Sequence, residues 1–509
     1  MNYNNGILKN GLRFFKDRSN QVYLVISFFA LLWAIATMEY SKPWCDEVML
    51  QDTNANMYFY GHWDTFAYND AGEGAPPFNR YFPLYTWLMF LWVSVFGFSF
   101  LKVRLCELVT TFLLGISLLS FGKKLLKKPF SPISVSMFSI AFWFTDLMMI
   151  AYRMARPDML GGLMAVMLAI YVLKSLNNNK LYVWQILLLS SLTMASGLQS
   201  VVYVVLAFIY TMFFVRPIKS LLKPFLFSLQ GFILGFLFSL LFMGCFGQAK
   251  GFIVEIMNHS QVFLKTWDFV KGIIYPMLGK AVTSTGFETS TGDITFLEKV
   301  LSIFSYFGTI LLVAINGVLI LVTKAWADAN KRVPMYIFLF SLFVIVGFNL
   351  AGRFTTYYMW TAILPMLLSL LFFVDLDKRR VVVFLVGFAV LALMVKGVSK
   401  YPLFGETPCD RINVFIKQQH LKKTDKIATS FDTFYALKPT NRYVYFYQIY
   451  PQHLIGDVDY IIIPEYEGEY NQEGMELYLK EYQANSKFKV TKISKMKNPD
   501  LALYKVVKR

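Results

Sequence analysis

Residues 83–100 read PLYTWLMFLWVSVFGFSF, a run with no charged side chain. Whether this run crosses a bilayer decides which side every later loop faces. Its length sits at the lower limit of a membrane span. Other apolar runs of spanning or near-spanning length lie near 21–40, 104–122, 131–151, 158–173, 181–215 (long enough for two), 224–246, 298–323, 335–351, 357–374 and 380–396. Counting 83–100 gives twelve spans; leaving it out gives eleven.

Basic residues near span ends favour the cytoplasmic side. With eleven spans, the short clusters Lys123–Lys128, Lys174 and Lys180, Arg216–Lys223, Lys324–Arg332 and Lys378–Arg380 all fall on one side, together with the N-terminus. With twelve, they all turn outward. The sequence therefore predicts a polytopic α-helical membrane protein of about eleven transmembrane helices. In this reading 83–100 is an outer re-entrant or juxtamembrane helix, its Trp87 and Trp92 at the headgroup boundary.

Composition leaves few other classes. Of 509 residues, 56% are hydrophobic and 16% charged, where a soluble domain has about 25% charged. Fifty Phe and thirty Tyr exceed what an aqueous fold can bury. A disordered chain, a disulfide scaffold and a nucleic-acid-binding domain are excluded, and the net charge of +17 is assigned to cytoplasmic loops. The four cysteines form no CxxC pair or Cys/His cluster. Lys9, Arg13, Lys16 and Arg18 precede the run from Gln21 to Tyr40, with no small-residue cleavage site after it. This is expected to be a retained anchor with a cytoplasmic N-terminus.

Three notable segments then lie outside: 41–103, 247–297 and a tail from about 397. The chain divides into a transmembrane unit, 1–396, and a small soluble α/β domain, 397–509. Strand-like runs in the tail are Tyr443–Tyr447, Tyr460–Pro464 and Leu501–Val507; helix-like ones are Ile412–His420 and Gly474–Tyr482.

The same outer face collects the ionisable motifs. Trp44-Cys45-Asp46-Glu47 follows the first span; its carboxylates fit a general base, a metal ligand, or simple acids at a helix N-terminus. Arg153-Met154-Ala155-Arg156-Pro157-Asp158 fits a functional cluster or a helix cap with an interfacial arginine. Gly352-Arg353-Phe354-Thr355-Thr356-Tyr357-Tyr358 fits an anion site or an arginine snorkelling to lipid. Their coincidence on one face matters more than any one of them, because ionisable groups at membrane edges are functional candidates. Carboxylates with arginines suit a reaction in which a hydroxyl loses a proton while a phosphate departs.

The ordered set resembles a known family. Asp46-Glu47 after the first span, Ala75-Pro76-Pro77-Phe78-Asn79-Arg80-Tyr81-Phe82-Pro83-Leu84-Tyr85-Thr86-Trp87, then Phe96-Gly97, Arg104-Leu105 and Arg156-Pro157-Asp158, is similar to the GT-C glycosyltransferases. The nearest branches are the protein O-mannosyltransferases and the aminoarabinose transferases that modify lipid A. The resemblance covers about residues 20–175 and extends more weakly to about 375 through Arg353, Tyr357 and Pro365. Where the family often has His-Pro-Pro-Leu, this chain has Arg80-Tyr81-Phe82-Pro83-Leu84, so the class is better supported than any substrate.

The resemblance implies transfer of a sugar from a polyprenyl-phosphate carrier, with inversion. Asp46 is then the general base, and Glu47 orients the site or stays structural. Arg156 and Arg353, with Arg153 beside them, hold the leaving phosphate; Tyr81 and Tyr357 donate hydrogen bonds. Asp158 positions the acceptor, holds Arg156 or assists a divalent metal ion, whose involvement stays open. The 247–297 loop, with His259, is a candidate lid. A cell-envelope enzyme of a bacterial inner membrane, its site and tail facing the periplasm, is the implied setting. The acceptor is a lipid, a glycan or a protein.

Two other function classes fit the same features: a transporter or flippase for a polyprenyl-linked sugar, and a membrane scaffold whose tail recruits a partner. Acids gathered at one edge and the lack of an internal repeat count against the transporter. Cys45 and Cys409 both fall outside, where a disulfide can form, and the sequence leaves their pairing open.

Overall fold

The computed structural model describes residues 17–66, 82–253, 256, 306–350, 358–401, 408–446, 458–464, 472–497 and 500–509. Six of its helices are long and apolar enough to cross a bilayer: Arg18–Ala36, Phe100–Leu126, Asp158–Asn178, Ile218–Cys245, Ala329–Phe348 (within Ala329–Leu350) and Arg380–Lys400. Shorter apolar helices are Pro83–Phe96, Val183–Ser196, Leu198–Phe214, Phe307–Thr323 and Trp360–Leu376.

The run 131–151 is not one helix. It breaks at Thr145, in extended backbone, into Pro132–Phe144 and Asp146–Tyr152, which meet at 62°. The break has a cause in the packing. Asp146 accepts the Leu147 amide at 2.9 Å and the Gly308 amide at 3.0 Å, so its carboxylate lies at the N-terminus of the Phe307–Thr323 helix. The run 181–215, long enough for two spans, divides at Gly197, whose φ of +152° is open to glycine and rarely to other residues.

The 14 residues of Pro83–Phe96 reach about 21 Å, short of the roughly 30 Å hydrocarbon core. Pro83 starts this helix and Gly97 stops it. Tyr85, Met89 and Val93 form its buried stripe, while Trp87, Leu91 and Val95 are exposed. The bundle packs around Trp360–Leu376, in which every residue from Trp360 to Asp375 is buried.

Ion pairs fix the two ends of the bundle. Arg18–Ala36 opens at Asp17, whose Oδ2 lies 2.6 Å from Lys123 Nζ near the C-terminus of Phe100–Leu126. It closes near Met38, whose carbonyl accepts from Arg104 Nη1 at 3.2 Å near the N-terminus of that same helix. The two helices are therefore antiparallel. Lys128 pairs with Asp375, and Lys331 and Arg379 with Asp377, at the Lys123 end. Much of the basic sequence thus collects at one end, and Asp46, Arg104 and Arg156 at the other.

The tail forms a five-stranded sheet in the order β2-β1-β3-β5-β4, with β1 Ile427–Thr429, β2 Val444–Phe446, β3 Tyr460–Pro464, β4 Phe488–Met496 and β5 Leu501–Lys508. β1 runs parallel to β2 and β3; β5 runs antiparallel to β3 and β4. Three strands and both helices (Pro408–Gln418 and Gln472–Ala484) match the sequence expectation. β1 is too short to stand out, and β4 carries Lys489, Lys492 and Lys495, the chemistry of a protected sheet edge.

Candidate active site

The helix Cys45–Tyr60, called the outer helix because it lies at the bundle end away from the basic clusters, begins with acids in its first turn, where backbone N–H groups lack partners within the helix. Asp46 and Glu47 are consecutive, so they leave the helix about 100° apart. Their surroundings differ accordingly.

Glu47 is fully buried and held by the Phe100–Leu126 helix. Arg104 Nε donates to Oε1 at 2.8 Å and Nη2 to Oε2 at 2.6 Å, a bidentate fork. Trp44 N donates to Oε2 at 3.3 Å and Tyr435 OH to Oε1 at 3.0 Å. The remaining Arg104 donors reach the carbonyls of Met38, Ser41 and Lys42, and its guanidinium lies 3.8 Å above the Phe100 ring. Glu47 therefore ties the outer helix to the bundle.

Asp46 faces the other way and keeps 28% of its side chain accessible. Its Oδ2 accepts from Arg156 Nη1, and Arg156 Nε donates to Asp158 Oδ2 at 2.8 Å. One guanidinium thus bridges two carboxylates whose residues lie 112 positions apart. Asp158 opens the Asp158–Asn178 helix and is 3% exposed, with the buried Trp360 indole beside its carboxylate.

Arg153 does not join this group. It is 1% exposed, with Nη1 donating to Thr37 O at 3.0 Å and Nη2 to Thr37 Oγ1 at 2.7 Å. Tyr401 stacks on it at 4.0 Å and Trp33 at 4.9 Å. Arg153, which the sequence reading places beside the phosphate ligands, is a wedge between helices, three residues along the loop from the arginine that faces Asp46. Tyr81, Arg353, Tyr357 and His259 lie outside the described residues, as does the Cys45 side chain. Cys409 is a free thiol, its Sγ 3.7 Å from Glu39 O.

Sequence reasoning missed several neighbours. Glu107, one turn beyond Arg104, is 1% exposed and lies against Tyr85, with the charges of Asp158, Glu47 and Arg156 nearby. Gln51 Nε2 donates to Ala155 O at 3.1 Å, pinning the Arg156 loop to the outer helix. Tyr358 stands near Arg156, next to the tyrosine the sequence singles out. Glu107 carries a detectable signal, an acid within an apolar run; Gln51 carries none.

A second anchor lies farther along the outer helix. Lys438 and Asp52, both fully buried, pair at 2.5 Å, and Thr65 Oγ1 and Phe66 N donate to Asp52 Oδ2 at 2.9 and 2.6 Å. Burial pulls the Lys438 ammonium below its ordinary range while the Asp52 carboxylate opposes the shift. Lys438→Met is expected to destabilise the protein by about 3–5 kcal/mol by stranding Asp52. A lowered thermal unfolding midpoint in detergent would show it, with Asp52→Leu in the same chain restoring most of the loss.

No protein-family model and no curated protein matches the chain. Solved structures do. The apo Archaeoglobus fulgidus oligosaccharyltransferase superposes with a TM-score of 0.53 at 12% identity, covering 90% of this chain and 71% of that one. The same archaeal enzyme, AglB, in complex with an inhibitory peptide and a dolichol-phosphate gives 0.53 at 12% identity, covering 91% and 71%. ArnT from Cupriavidus metallidurans bound to undecaprenyl phosphate gives 0.46 at 13%, covering 94% and 97%.

The chain has a GT-C fold.

In this GT-C chain the Asp46–Arg156–Asp158 bridge sits where the outer helix meets the loop before a long apolar helix. Arg156 engages one oxygen of each carboxylate, and among the described residues no group of three or more His, Cys, Asp or Glu exists that would hold an ion.

Proposed function

We infer that this protein is a membrane glycosyltransferase that moves a sugar from a polyprenyl-phosphate carrier to an acceptor hydroxyl with inversion. The observation that carries the reading is the partly exposed Asp46 bound to Arg156 at one end of a GT-C bundle. Residues 1–396 form the catalytic unit and 397–509 a soluble domain beside it. The site faces the periplasm of a bacterial inner membrane, opposite the basic clusters.

Asp46 accepts the proton of the acceptor hydroxyl as its oxygen attacks the anomeric carbon. The bond to the carrier phosphate breaks on the opposite face, and the phosphate leaves with the bonding pair. Positive charge near that phosphate stabilises the transition state. Arg156 supplies it at the site, and the roles proposed for Arg353, Tyr81 and Tyr357, which lie outside the described residues, are further phosphate contacts. Asp158 holds the Arg156 fork in register. Such a mechanism needs charges at the bilayer edge, where a carrier's phosphate resides and its isoprenoid chain stays in lipid.

The test is release of free undecaprenyl phosphate from a polyprenyl-linked glycolipid extract of the native cells by the full-length protein in nanodiscs. Release coupled to sugar incorporation supports the reading, and mass spectrometry of the labelled product identifies sugar and acceptor. Unchanged glycolipids and glycans in a deletion strain, with no release in vitro, would sink it. Arg156→Ala should lower turnover roughly 10²–10³-fold, the scale of losing one preorganised donor. Arg156→Lys should recover only part, because an ammonium lacks the fork that spans both carboxylates.

A further inference from the structure

Asp46 has no rigid partner of its own among the described residues apart from Arg156, and it lies in the first turn of a helix. Its direction is set by its neighbour. Glu47 is locked by four hydrogen bonds, three from Trp44 and Arg104 and one, at 3.0 Å, from Tyr435.

Tyr435 belongs to the C-terminal sheet domain, in the short helix Phe434–Leu437. Its ring is fixed against Phe98 (5.6 Å, stacked), Phe100 (4.9 Å) and Phe434 (5.0 Å), so the hydroxyl has little freedom. Burial, and then the Glu47 charge, push the phenol well above its usual range, which keeps it a donor. Two more contacts clamp the same helix from the same side: Tyr60 OH donates to Lys438 O at 2.9 Å, and Asp52 pairs with Lys438.

We propose that Tyr435 is a positioning residue for the transfer step: by its hydrogen bond to Glu47 the C-terminal domain sets the direction in which Asp46 points. The proposal rests on the reading of Asp46 as the base. It makes the soluble domain part of the catalytic apparatus, acting through one hydroxyl.

The experiment compares Tyr435→Phe, Asp46→Asn and Phe446→Leu with the unaltered full-length protein in nanodiscs, following undecaprenyl phosphate release from the native glycolipid extract. Phe446 stacks on Phe431 at 5.0 Å and lies 6.0 Å from Phe434, the neighbour of Tyr435, so its variant loosens the same aromatic cluster without removing the hydroxyl. Tyr435→Phe is expected to lower the rate at saturating extract about tenfold, the scale of one hydrogen bond to a charged group. The half-saturating concentration and undecaprenyl phosphate binding should not move. Phe446→Leu, at an equal or larger drop in unfolding midpoint, should keep most of the rate. An unchanged rate in Tyr435→Phe overturns the proposal while leaving Asp46 intact, and so does an equal loss in Phe446→Leu. A fully active Asp46→Asn overturns the base assignment itself. If Tyr435→Phe does not fold, Tyr435→His, which restores a donor on a ring, must regain more rate than Tyr435→Leu.

Discussion

Asp46→Asn should abolish transfer, lowering the rate by on the order of 10²–10⁴-fold, the range that a general base contributes. Asparagine keeps the shape and can still accept from Arg156, so the fold and the outer helix should survive. What disappears is the capacity to take up a proton from the acceptor hydroxyl. Binding of undecaprenyl phosphate should therefore be retained, which separates loss of chemistry from loss of the site. Mass spectrometry of the released lipid and a thermal unfolding trace on the same sample decide the matter. A rate within a few-fold of the unaltered protein would remove Asp46 from the reaction.

Arg104→Leu should be the most damaging single change to stability. It strands Glu47, fully buried and otherwise held by only two hydrogen bonds among the described residues, next to a hydrophobic side chain. Breaking one partner of a buried ion pair costs about 3–5 kcal/mol, and the orphaned carbonyls of Met38, Ser41 and Lys42 add to the loss. The expected signature is poor recovery from membranes and a sharply lowered unfolding midpoint. Glu47→Leu introduced together with Arg104→Leu should restore much of the stability, since apolar substitutes for a whole buried pair are often neutral. It should not restore turnover, because the outer helix then lacks the carboxylate on which its orientation depends. Recovery of both would mean that Asp46 needs no such support.

How far the sequence reaches can be followed residue by residue. The spans are legible because an uncharged apolar run of about 17 or more residues buries its whole circumference most readily in lipid. Asp46, Arg156 and Asp158 stand out because polar groups at span ends are expensive to keep there. Arg153 and Arg156 could not be told apart: they share a five-residue loop, and only the packing of Tyr401 and Trp33 shows which one turns inward. The break at Thr145 is hidden for a similar reason, since it depends on the Gly308 amide from a helix 162 residues later. Tyr435 and Lys438 look like ordinary residues of a soluble tail. Their partners, Glu47 and Asp52, are nearly four hundred positions earlier, beyond any local pattern.

That separation has a consequence for biogenesis. Glu47 meets Arg104 after 57 further residues but waits 388 for Tyr435. At the usual pace of translation the second partner emerges roughly 15–70 seconds after the first. The anchor to the bundle is thus made early, whereas the hydroxyl that completes it arrives only with the tail. If Tyr435 orients Asp46 as proposed, a chain cut short before it would carry the Arg104 anchor without the hydroxyl that completes it.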